Sequence, residues 1–233
     1  MIPVNFKSNK FRATKILVSI IVIIYISFLY MDISNIGVHI SNVLKFISII
    51  LAFIISILGK KNSLSYKDIH LLQIGLFITI FADLFLLILD SHYILGMILF
   101  SIVQIIYSFR YDFRNVKPII RNFIIIFLGL SLFYLILNRF INIDFILIVG
   151  VFYAICLLIS VGNAIKAYKY KLFPKPNRQM ILIGMILFLL CDINVALYNI
   201  TREFVNISSV SMWLFYLPSQ VLLALSCYNY NGN

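Results

Sequence analysis

The sequence predicts an all-α protein, a polytopic membrane bundle of eight transmembrane helices in one domain over residues 1–233. Three observations carry that expectation. The 233 residues are 63% hydrophobic and 12% charged, with a mean hydropathy of +1.05, whereas a soluble chain carries about a quarter charged residues. The apolar runs are continuous rather than alternating, which indicates helices and not barrel strands. The basic residues gather in every second connection, as they do around membrane helices.

The spans fall at about 15–30, 36–58, 69–89, 93–109, 119–137, 145–165, 180–198 and 210–227. Each is near the ~20 residues needed to cross about 30 Å of hydrocarbon. The first follows Lys7, Lys10, Arg12 and Lys15, a start that resembles a signal peptide. No small-residue cleavage site follows Phe28-Leu29-Tyr30 and seven more spans come after it, so a retained helix is expected. Four Lys and Arg precede span 1, three lie in 60–67, four in 110–121 and five in 166–178. The alternate connections contain only Arg139 and Arg202, with Asp32, Asp90, Asp144 and Glu203, while Lys45 falls inside span 2. The positive-inside rule then places both termini in the cytoplasm, for a multi-pass protein of the bacterial cytoplasmic membrane. Pro174 and Pro176 mark the longest connection as a loop.

This segregation also explains the net charge of +11 as topology, so no nucleic-acid partner is expected. Cys156, Cys191 and Cys227 sit in apolar runs and read as small buried hydrophobes. Tyrosines near span ends and Trp213 read as interfacial anchors. Asn199-Ile200-Thr201 and Asn206-Ile207-Ser208 match glycosylation sequons, as chance would allow in an Asn-rich chain.

Two carboxylates stand out. Asp83 lies in span 3 and Asp192 in span 7, and Gly75 to Asp83 repeats the eight-residue spacing of Gly184 to Asp192. An ionised Asp at the centre of a membrane helix costs on the order of 2.5–3.5 kcal/mol, so the pair calls for an explanation. The echo suggests a 4+4 parallel internal repeat, because spans 3 and 7 run the same way. At 1.5 Å per residue both carboxylates lie about 10 Å below the outer surface, and Lys45 roughly 14 Å. Tyr216 and Gln220 reach similar depths, with Gln104 and Tyr107 somewhat deeper. Lipid penalises each of these groups singly, so one shared polar cavity inside the bundle is expected.

Two carboxylates in such a cavity suit acid–base chemistry. One is kept neutral by desolvation and a like-charged neighbour, and the other is held ionised by a cation such as Lys45. Three other readings remain open: a structural ion pair between Lys45 and one Asp that only orients helices, a lipid-binding site, and a proton-coupled transport site. No metal is expected, since His39, His70 and His92 lie near span ends on both sides and cannot converge on one ion. No Ser-His or Ser-Lys arrangement stands out, and Ser219 beside Pro218 reads as a packing residue.

The same residues resemble the pattern of the YhhN/TMEM86 family of eight-helix membrane proteins, which includes the lysoplasmalogenases. The resemblance runs from span 2 to span 8. It rests on Lys45, on Gly75 through Asp83-Leu84, on Gly96, Phe100, Gln104 and Tyr107, on Gly184 through Asp192 to Ala196, and on Tyr216, Gln220 and Ala224-Leu225-Ser226. The chain departs from the family pattern at Gln104, where His is common, at Ala82 for Gly, at Cys191 for Ser, and at Phe46 for Pro. The change at Gln104 removes the ground for a proton-transfer role there.

The resemblance implies hydrolysis of the sn-1 vinyl ether bond of lysoplasmalogens to a fatty aldehyde and a glycerophospho-ethanolamine or -choline. Asp83 and Asp192 would be catalytic, and Lys45, Gln104, Tyr107, Tyr216 and Gln220 would hold substrate or water. No cofactor is implied. The partners are the lysophospholipid substrate and membrane lipids, and the sequence sets no oligomeric state.

Overall fold

The computed structural model describes residues 5–60, 63–112, 116–200 and 205–230, and only the backbone of 5–11, 205 and 206. Lys61, Arg114, Thr201, Arg202 and Glu203, and the side chains of Lys7, Lys10 and Asn206, lie outside the described residues. Among the described residues the chain forms eight long helices: α1 Asn5–Ile33, α2 Val38–Gly59, α3 Tyr66–Asp83, α4 Tyr93–Tyr111, α5 Val116–Leu137, α6 Phe145–Lys169, α7 Asn177–Ile200 and α8 Val205–Leu225. All eight are long and apolar enough to cross a membrane, and the protein is a multi-pass integral membrane protein.

Most helices run a turn past their apolar stretch. Straight-chain Lys and Arg are good helix formers and extend α1 and α6 into water at one end of the bundle. The Asp144 side chain accepts a bond from the Ile146 amide and starts α6. The α1–α2 turn passes through Gly37 at φ 63°, where a Cβ would stand 2.8 Å from the Met31 methyl. Helix α3 changes pitch at Asp83, and a π turn over Leu84–Ile88 carries the chain to the outer end.

The helices pack chiefly as α7 on α8, α3 on α4, α4 on α6 and α1 on α2. Helix α4 is thus central, while α5 is peripheral and buries only Ile119 and Phe123. The end rich in basic loops is locked by polar bonds. Arg110 of α4, fully buried, donates from Nε to Asp68 Oδ1 of α3 at 2.7 Å and from Nη2 to Oδ2 at 3.2 Å. The same Nη2 donates to Ser226 Oγ at 2.8 Å, just beyond α8. Asn177 at the head of α7 donates to the Ser226 and Tyr228 carbonyls at 2.8 and 2.6 Å. The Tyr228 hydroxyl donates to the Ile55 carbonyl at 2.9 Å and takes a bond from Thr14 at 2.8 Å. Burial pushes this phenol up to about 12, so it remains a donor at ordinary pH.

Candidate active site

Asp83 ends the regular part of α3 and is 5% exposed. Its Oδ2 accepts a hydrogen bond from the Tyr216 hydroxyl of α8 at 2.8 Å. Asp192 of α7 is half-buried, and its Oδ2 accepts from the Tyr153 hydroxyl of α6. The two carboxylates lie within electrostatic reach of each other. Each is therefore held by a phenol from a neighbouring helix, which satisfies a buried acceptor at low desolvation cost.

Phe100 of α4 stands between the two phenols, its ring centre 5.9 Å from that of Tyr153 and 6.3 Å from that of Tyr216. Phe188 of α7 meets Phe100 edge-on at 6.0 Å and Tyr216 at 5.6 Å. An aromatic core therefore flanks both acid–phenol pairs. The tyrosines turn their hydroxyls to the carboxylates and leave ring faces as walls. Two cavities of about 660 and 410 Å³ open elsewhere, and neither borders Asp83 or Asp192. Asp192 is the less buried of the two acids, and beyond it α7 is largely exposed from Ile193 to Ile200.

The partner expected for Lys45 is corrected. Its ammonium pairs with Asp32 Oδ2 at 2.9 Å, not with Asp83 or Asp192. Ser41 Oγ donates to the other Asp32 oxygen at 2.5 Å. The sequence reading put Asp32 in an outer loop, but it lies in the last turn of α1, within reach of a lysine stem that stretches outward from α2. The ammonium also lies over the rings of Trp213 at 5.3 Å and Phe28 at 5.9 Å. Trp213 packs edge-on against Tyr216 at 5.2 Å and Phe28 at 5.8 Å. Its indole links Lys45 to Tyr216, the partner of Asp83.

Gln104 follows Phe100 by four residues and Gln220 follows Tyr216 by four, so each lies one turn further in on the same helix face. Both are fully buried, and neither amide has a bonding partner. The Tyr107 hydroxyl is unpartnered too, and its ring lies on the α3 backbone at Gly75. These groups form a polar layer beneath the acid–phenol pairs, with donors and acceptors open to water or a ligand. Among the described residues no group of His, Cys, Asp and Glu could hold a metal ion.

Sequence reasoning missed Tyr153, Phe188 and Asp32. A tyrosine inside an apolar run carries no mark of its own, and Tyr153 becomes visible only once α6 is seen beside α7.

The sequence model of the YhhN family matches residues 40–227, from the first turn of α2 to just past the end of α8. Neither a curated protein nor a solved structure gives a match to the chain.

Proposed function

The chain belongs to the YhhN family, and on that premise we propose that it hydrolyses the vinyl ether bond of lysoplasmalogens by acid–base catalysis with Asp83 and Asp192. The observation that carries this reading is that carboxylates from α3 and α7 are each held by a phenol whose ring packs on Phe100. An ion pair that only oriented helices would put a cation on one of them, and the buried cations among the described residues, Lys45 and Arg110, are engaged with Asp32 and Asp68.

The chemistry asks for little more. A vinyl ether resists nucleophiles, but a neutral carboxylic acid can protonate its β-carbon, and the C=C electron pair becomes the new C–H bond. The α-carbon is left as an oxocarbenium ion, which an anionic carboxylate beside it stabilises. Water adds to that carbon and loses a proton to the carboxylate. The hemiacetal then gives its hydroxyl proton to the carboxylate that had protonated the alkene, the other carboxyl returns its proton to the glycerol oxygen, and the C–O bond breaks to give the fatty aldehyde and the glycerol hydroxyl. One water is consumed and the two acids end as they began.

Phe100 and Phe188 keep the reacting carbon away from bulk water until the alkenyl chain is seated. The unpartnered amides of Gln104 and Gln220 are placed to hold the attacking water, with Tyr107 below them. Tyr216 fixes the rotamer of Asp83, and Lys45 shapes the site through Trp213 rather than by touching an acid. A single-tailed lipid enters sideways at Asp192, the half-buried member of the pair.

The test is incubation of the purified protein with lysoplasmenylethanolamine and measurement of aldehyde. Wild type is expected to release it, and Asp83→Asn and Asp192→Asn to release about 10²–10⁴-fold less while remaining folded. Full activity in both variants rejects the assignment. Movement of intact lipid across vesicles without aldehyde would favour a transport role for the same carboxylates.

A further inference from the structure

The weak packing of α5 leaves a groove between it and α6, a cavity of about 660 Å³ at the end with the basic loops. Its size is that of small-ligand sites, which run to about 300–1,000 Å³. Apolar side chains line its inner part: Ile119 and Phe123 of α5 and Ile159 of α6, backed by the buried Cys156. Its mouth is polar, with Asn163 and Lys166 three residues apart on one face of α6. Asn163 is 7% exposed, yet its amide nitrogen has no acceptor. Gly162, between the apolar floor and that mouth, has no atom within 4 Å of the position a Cβ would take.

The groove fits within one half of a membrane. Its α6 lining runs from Ile159 to Lys166, about 10 Å along the axis, against about 15 Å for half of a hydrocarbon core. The polar residues lie toward the end with the basic loops and the apolar ones toward the bundle centre. The surroundings at the mouth are basic, with Lys117, Arg121 and Lys169 exposed near Lys166, against one acid, Asp112. A cation and an orphaned amide donor, beside an apolar slot, select an anionic headgroup on an acyl chain.

We infer that the α5–α6 groove is a binding site for a membrane phospholipid, with its phosphate on Lys166 and Asn163 and an acyl chain along Ile119, Phe123 and Ile159. The lipid completes the packing that α5 lacks from the protein. The site is separate from the acids. About 100° per residue puts Tyr153 roughly a third of a turn away from the groove-lining face of α6, and the groove borders neither carboxylate. The inference therefore stands whether or not the hydrolysis proposed above is correct.

Native mass spectrometry of the purified protein in a delipidating detergent tests it, with phosphatidylglycerol, diacylglycerol of the same chains and glycerol phosphate added back in separate arms. One phosphatidylglycerol per chain is expected to be retained, with at least fivefold less retention of diacylglycerol or glycerol phosphate. Gly162→Phe fills the slot without altering charge, and the double variant Asn163→Leu, Lys166→Leu removes the headgroup contacts. Each is expected to lose the retained lipid, and Lys171→Leu at the adjacent turn to keep it. Equal retention of diacylglycerol by wild type overturns the inference without recourse to any variant. So does unchanged retention in Gly162→Phe, or a lipid-free dimer that the same variant dissociates.

Discussion

A carboxylate survives inside a membrane helix when a partner offsets its desolvation, and here the partners are phenols rather than cations. Each phenol gives a hydrogen bond to a charged or chargeable acceptor, an interaction of about 1.5–3 kcal/mol. Tyr216→Phe and Tyr153→Phe are therefore expected to keep the fold and lower aldehyde release by roughly ten- to a hundredfold. Full activity in both would show the phenols to be spectators. Lys45 belongs to a different account. Removing its charge strands Asp32, so Lys45→Met is expected to cost about 3 kcal/mol of stability in thermal melts, and addition of Asp32→Asn to restore most of it. A melting temperature unmoved by Lys45→Met would show that the pair is held by the interface and not by burial. The acids were legible in the sequence because charge in an apolar run is costly and rare. Tyr153, Phe188 and the true partner of Lys45 were not, because an aromatic among aromatics has no contrast and a pairing across helices has no spacing in sequence.

The repeated Gly-to-Asp spacing acquires a meaning one level up. Two turns inward from Asp83, Gly75 lets the Tyr107 ring of α4 rest on the α3 backbone, where a Cβ would come within 2.4 Å of the ring. Two turns inward from Asp192, Gly184 lets α8 approach α7, with Leu223 at 3.1 Å and the Ser219 carbonyl at 3.3 Å from a Cβ. In both cases the glycine draws in the helix that follows its own, α4 on α3 and α8 on α7, and those helices bring Phe100 and Tyr216 to the acids. The spacing was legible, but the neighbour it admits was not. The two contacts also differ in severity. Gly75→Ala is expected to cost about 1–3 kcal/mol through overpacking against a rigid ring, and Gly184→Ala less, since the Leu223 side chain can turn aside. Equal melting temperatures for the two variants would show that α3 and α4 separate freely.

At the scale of the whole chain, eight spans followed from hydropathy and loop charge, and the peripheral place of α5 did not. Both it and the central α4 are apolar enough to span, because lipid and protein interior ask for the same side chains. Orientation rests on another asymmetry. Sixteen of nineteen Lys and Arg fall in one set of connections and two in the other, an imbalance from which the α6–α7 loop is expected in the cytoplasm and the α5–α6 loop outside. The fold adds weight to the first end, since the Arg110–Asp68–Ser226 lock ties α3, α4 and the end of α8 together there. The three native cysteines are buried and leave the surface clear for labelling. In intact cells Asn142→Cys is expected to react with a membrane-impermeant maleimide, and Leu172→Cys only after the membrane is opened. The reverse pattern would turn the bundle over and carry Asp83 and Asp192 from the outer half of the bilayer to the inner, where lipid of the other leaflet would be their substrate.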